Sequence, residues 1–100
     1  MYRFTRSTAT MTGAQFPQAL QFGIAVTKHL NDKYGIGLKV GYELFNGSRV
    51  YWYFDAESLD AIQQLNLKLT QDAEYWAMIE KSKDVWLPGS LEDRVVSLVG

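Results

Sequence analysis

No cysteine occurs among the 100 residues. Disulfides, thiolate nucleophiles and cysteine-ligated zinc or iron–sulfur centres are therefore excluded. Histidine occurs once, as His29, the only side chain whose unperturbed pKa lies near neutrality. The acidic residues Asp55, Glu57, Asp60, Asp72 and Glu74 have neither histidine nor cysteine among them and read as caps and solvated helix positions, so no metal and no cofactor is expected. No basic cluster is present and the formal net charge is −1, which argues against electrostatic capture of nucleic acid. No apolar run approaches the roughly 18–20 residues of a membrane span. The opening MYRFTRSTATM lacks the apolar core of a signal peptide. A cytoplasmic protein is the resulting expectation. Gly35-Ile36-Gly37 is not a phosphate loop, because no Gly-Lys-Ser/Thr follows it.

What is present is core-forming material. Apolar residues make up 47% of the chain and aromatics 14%, enough for one domain spanning residues 1–100. The organising stretch is Leu38 to Asp55, in which two strand-like runs flank Asn46-Gly47. Asn-Gly is the preferred pair of a two-residue type I′ hairpin turn. That turn pairs Phe45 with Ser48 and Val40 with Tyr53. One face then carries Leu38, Val40, Tyr42, Leu44, Arg49, Tyr51 and Tyr53. The other carries Gly41, Phe45, Val50, Trp52 and Phe54, with Lys39 and Glu43. Both faces hold large apolar groups. Helices can cover one, and a second copy of the chain is expected to cover the other, since an exposed patch of that size is unusual on a monomer. Phe45, Val50, Trp52 and Phe54 are the expected dimer contacts.

Upstream, Tyr2 to Thr10 alternates as a strand. Thr12 is a helix-cap candidate. A helix is expected from about Gln15 to Tyr34: Phe16, Ala19, Leu20, Gly23, Val26, Thr27, Leu30 and Tyr34 form its stripe, with Pro17 in the first turn and Gly35 as a left-handed cap. Phe22 and His29 flank the stripe. Downstream, Asp55 or Ser58 caps a helix with Leu59, Ile62, Leu65 and Leu69 on one side. Thr70-Gln71-Asp72 breaks it, and Asp72 caps a second piece from Ala73 to Trp86, stopped by Pro88-Gly89. Arg94 to Val99 is a closing strand. The order β-α-β-β-α-β predicts an α+β, ferredoxin-like fold: a four-stranded antiparallel sheet, helices on one face, the second helix broken, the other face dimerising.

In this order of elements the chain resembles the dimeric α/β-barrel superfamily, the ferredoxin-like dimers that include antibiotic-biosynthesis monooxygenase-like, NIPSNAP-like and EthD-like proteins. The resemblance is sharpest at Asp72-Ala73-Glu74-Tyr75-Trp76 and at Asp84-Val85-Trp86-Leu87-Pro88-Gly89-Ser90. It implies two sheets packed face to face and a ligand pocket between a subunit's sheet and its own helices. The haem-degrading branch uses a histidine in the helix after the hairpin, and Leu59 to Trp86 contains none.

Three functions are compatible with these residues. The first is binding of a small apolar or aromatic molecule, with Tyr42, Arg49, Tyr51, Tyr53 and Trp76 as the ligand-contacting residues: phenol hydroxyls orient a polar group and Arg49 pairs with a carboxylate. The second is a cofactor-independent monooxygenase or isomerase acting on an aromatic, polyketide-like substrate, with His29 as the catalytic acid–base candidate and Trp52 or the tyrosines near the substrate. The third is an interaction module without ligand, in which the aromatics serve assembly alone.

Overall fold

The computed structural model describes residues 1–44 and 47–100. Strand β1 (Tyr2–Ala9) is followed by a 3-10 turn (Gly13–Gln15) and helix α1 (Phe16–Tyr34). Strands β2 (Lys39–Tyr42) and β3 (Arg49–Ala56) come next, then α2 (Leu59–Thr70), α3 (Ala73–Lys81) and β4 (Glu92–Ser97). The sheet order is β2-β3-β1-β4, and each neighbouring pair is antiparallel. This is the ferredoxin-like α+β arrangement expected from the element order.

The hairpin register is not the one that Asn46-Gly47 implies. Val40 lies opposite Trp52 and Tyr42 opposite Val50, one residue away from the expected pairing. Because side chains alternate with period two, that slip moves a whole strand's set to the other face. Val40, Val50, Trp52 and Phe54 now share the face that the helices cover. Lys39, Gly41, Arg49, Tyr51, Tyr53 and Asp55 share the outer face. The two-faced greasy ribbon is thereby corrected: one face is strongly apolar, and the other is a mixture of tyrosine and paired charge. Val50 is fully buried, and Trp52 and Phe54 are nearly so, all within one chain. They are core residues, not the dimer contacts expected of them. Phe45, the fourth of those contacts, and the turn residue Asn46 lie outside the described residues.

Helix α1 packs through the expected stripe, with Ala19, Gly23, Val26 and Leu30 buried. Gly23 is required by close approach: a β-carbon there would meet Val40 at 3.1 Å and both Trp52 and Val50 at 3.3 Å. The Trp52 indole N–H donates to the Gly23 carbonyl at 3.3 Å. Gly35, at φ 61°, ends the helix, and its amide donates to Asn31 O. Asn31 then brackets the start of the hairpin, accepting from Leu38 N at 2.6 Å and donating to Leu38 O at 3.0 Å.

Ser58, not Asp55, caps α2 by accepting from Ala61 N at 3.1 Å. The break falls where expected, and Asp72 caps α3. Helix α3 stops at Lys81, short of the expected Trp86. The Ser82 hydroxyl donates to Ile79 O and accepts from the Trp86 indole N–H, each at 3.1 Å. Those bonds turn the chain, and Val85 to Leu87 runs beside the end of β1 (Met11 N to Val85 O and Leu87 N to Ala9 O, both 2.8 Å). Ser90 fastens the next turn, its hydroxyl lying 3.0 Å from Thr8 Oγ1 and 3.0 Å from Ala9 N. Strand β4 then pairs with β1 from Ser7 opposite Glu92 to Tyr2 opposite Ser97. Every residue of β4 is exposed.

Candidate functional site

Alternation along β1 and β3 puts Phe4, Arg6, Thr8, Trp52 and Phe54 on the helix side of the sheet. Three of these are large apolar groups, and the helices do not fill the space above them. A cavity of about 370 Å³ remains. Phe22, Val26 and Leu30 of α1 form one wall, Leu65 and Leu69 of α2 a second, and Tyr75 and Ile79 of α3 a third. Trp86, Leu87, Pro88 and Gly89 also line it. Phe22, Trp52 and Trp86 meet edge to face, with ring centroids 5.6–6.2 Å apart, which fixes their planes around the space. A smaller space of about 210 Å³ adjoins it under α2. It shares Phe4, Arg6, Phe54, Leu65 and Leu69, and reaches Ile62, Gln63, Asn66 and Asp93.

Arg6 is the charged group on this floor. Its Nε and Nη2 donate to the two carboxylate oxygens of Asp93 at 2.7 and 2.9 Å. That fork raises the guanidinium pKa above its ordinary value despite burial, so Arg6 stays charged. Arg6 Nη1 also reaches the Tyr75 hydroxyl at 3.5 Å.

A second polar cluster joins α1 to α3. Its centre is Asp72, whose side chain is fully buried. One oxygen accepts from Tyr75 N at 3.0 Å. The other accepts from Tyr34 Oη at 2.8 Å and His29 Nε2 at 3.0 Å, with Lys33 Nζ at 3.4 Å. Burial pushes the carboxyl pKa up. The Tyr75 amide, His29, Tyr34 and Lys33 outweigh it and hold the group well below the usual carboxylate range.

The expected site residues scatter. His29 is nearly buried, with Nε2 on Asp72 and Nδ1 3.5 Å from Glu74. It belongs to the α1–α3 cluster and does not line either cavity. Tyr42 is half-exposed on the helix side, edge-on to Phe16 at 5.3 Å. Arg49, Tyr51 and Tyr53 are on the outer face: Arg49 donates to Ser7 Oγ and Ser90 O, Tyr51 to Glu43, and Tyr53 lies beneath the Arg3 guanidinium. Trp76 is half-exposed on α3, its indole N–H on Leu69 O at 2.9 Å. None of Tyr42, Arg49, Tyr51, Tyr53 and Trp76 lines either cavity, and the residues that do include Trp52 and Phe54, which were expected to meet a partner subunit. Sequence reasoning missed Arg6 and Tyr75. The available signal was a charge at an inward position of β1, between Phe4 and Thr8.

No family model matches the sequence, and no curated protein matches it. Solved structures do. A NIPSNAP domain protein from Burkholderia xenovorans superposes with a TM-score of 0.81 at 12% identity, over 99% of this chain and 95% of that one. A NIPSNAP family protein from Agrobacterium tumefaciens gives 0.75 at 19% identity, over 98% and 92%. A provisionally named antibiotic biosynthesis monooxygenase from Deinococcus radiodurans gives 0.72 at 12%, over 100% and 94%. At such identities the likeness is one of fold, and it is the ferredoxin-like fold that the sequence resemblance implied.

Proposed function

We propose that this chain is a single ligand-binding domain that holds a small, predominantly apolar or aromatic molecule between its sheet and helices, and that it works as a homodimer. The observation that carries the binding reading is the cavity of about 370 Å³, a volume in the range of small-molecule sites. Its lining is aromatic and aliphatic apart from Arg6, Thr8, Lys83 and the Tyr75 hydroxyl. Nile red, an uncharged apolar dye, is expected to bind saturably with a blue-shifted emission. Leu65→Trp, which fills the space from α2, should weaken it about tenfold, while Ile24→Trp, at an exposed position, should not. A non-saturating dye signal, or equal signals from the two variants, would leave the interaction-module reading in its place.

The homodimer reading draws on β4 and the outer sheet face. Val96, opposite Arg3 on the outer side of β4, is about half-exposed, Leu98 just beyond the strand is exposed, and β4 is an edge strand of the sheet. Tyr51 and Tyr53 extend that surface across the outer face. Native mass spectrometry at micromolar concentration should give twice the chain mass. Val96→Glu, which puts a carboxylate on the outer face of β4, should return the chain mass with the fold intact. Retention of the doubled mass would rule out this surface as the contact.

A second reading, a cofactor-independent oxygenase or isomerase, draws on the name of the Deinococcus neighbour and on Trp52 and Trp86 at the cavity. His29 adds nothing to it, because both ring nitrogens face carboxylates outside the cavity.

A further inference from the structure

The cavity has cationic groups in its lining, yet each carries its own counter-ion. Arg6 is forked onto Asp93, and Lys83 Nζ lies 2.9 Å from Glu80. A ligand carboxylate reaching Arg6 would shed water and meet a guanidinium whose charge Asp93 already offsets, while the Lys83–Glu80 pair is exposed and screened. Hydrogen-bond donors remain. Arg6 uses Nε and Nη2 on Asp93, which leaves Nη1 directed at the Tyr75 hydroxyl over a long 3.5 Å. The Tyr75 hydroxyl receives that contact, and its own hydrogen has no acceptor among the described residues. Arg6 and Tyr75 both line the larger cavity, and Arg6 lines the smaller one as well.

We propose that the Arg6–Asp93 pair makes the cavity selective for uncharged apolar molecules that carry an oxygen acceptor, such as a carbonyl, and that Asp93 sets this charge preference. The claim rests on the cavity being a binding site, as argued above. Asp93 acts through Arg6: its carboxylate both orients the fork and cancels the charge. The elevated Arg6 pKa fits the same picture, because the guanidinium is permanently charged and needs a permanent partner. Without the Asp93 charge, the same arginine would capture carboxylates.

Equilibrium dialysis of the full chain with three naphthalenes of similar size tests this. In the native protein 2-acetonaphthone should bind tightest, 2-ethylnaphthalene next and 2-naphthoate least. Asp93→Asn should strengthen naphthoate binding about tenfold or more, the worth of one charge-assisted contact, with ethylnaphthalene unchanged. Tyr75→Phe should bring the ketone down towards ethylnaphthalene, again with ethylnaphthalene unchanged. A purely structural role for Asp93 would move all three ligands together. The proposal is overturned if naphthoate binds the native protein as tightly as the ketone, or if Asp93→Asn leaves naphthoate where it was. If ethylnaphthalene binds and the ketone gains nothing over it, the cavity reading survives and the carbonyl preference does not. If none of the three binds, the cavity reading fails and this one with it.

Discussion

Asp72→Ala is expected to lower stability by about 3 kcal/mol, combining a lost helix cap with buried donors left unpaired. In a chain of this size that is a fall in Tm of more than about 12 °C. The reasons lie in the geometry. Asp72 caps α3 through Tyr75 N, and the same carboxylate takes Tyr34 and His29 from α1. Removing it strands a buried amide, a phenol and an imidazole at once, at the place where α1 and α3 are joined. Asp72→Asn keeps one acceptor oxygen and should fall between the two. A variant that melts within 3 °C of the native protein would show that the cluster is ornamental.

The same residue carries a pH signature. Its pKa is depressed in the folded chain, so the sign is that of a carboxylate stabilised by folding. Its contribution is complete above the unfolded aspartate value, about 3.9. It is lost as pH falls through the lower folded value. The stability difference between native protein and Asp72→Asn should therefore be greatest above pH ~4 and shrink only below it. Urea titrations from pH 5 down to pH 2.5 measure this. A difference that had already closed at pH 5 would contradict the geometry.

Much of the fold could be read because long periodic segments are redundant. The α1 stripe, the Gly35 cap, the break before Asp72 and the order of elements each follow from several residues that agree. The register depended on one pair. Asn46-Gly47 favours a two-residue turn, but Val40 and Tyr42 share an apolar parity on β2, as do Val50, Trp52 and Phe54 on β3. Only a pairing displaced by one residue unites those two sets on one face, and burial of that face outweighs the turn preference. The alternation Arg49, Tyr51, Tyr53, Asp55 against Val50, Trp52, Phe54 was the available clue. The site suffered from this most, because a shift of one residue exchanges floor for outer surface: the tyrosines left the pocket and Trp52 entered it. The α1–α3 cluster was half legible. Asp72 read correctly as a cap, and His29 and Lys33 stand one helical turn apart on α1, yet nothing local says that Asp72 faces them.

Trp52→Glu separates the two registers outright. Were Trp52 at a subunit contact, the carboxylate would split the proposed dimer and leave a folded chain. In the observed fold the side chain is 7% exposed, wedged among Phe22, Trp86 and the Gly23 turn of α1. Losing the indole from such a site costs about 3–5 kcal/mol, and an unpaired buried carboxylate adds several more. Together these approach the entire stability of a small domain, about 5–15 kcal/mol. Trp52→Glu should therefore show no cooperative melting and no near-ultraviolet circular dichroism, whereas Trp52→Phe should melt cooperatively at a reduced temperature. Val96→Glu supplies the contrast: the same charge on the outer face should alter mass without abolishing the transition. A soluble Trp52→Glu protein with a native melting curve and half the native mass would restore the two-residue turn and place the indole against a partner. It would also remove Trp52 from the cavity, and with it the aromatic floor on which the binding proposal stands.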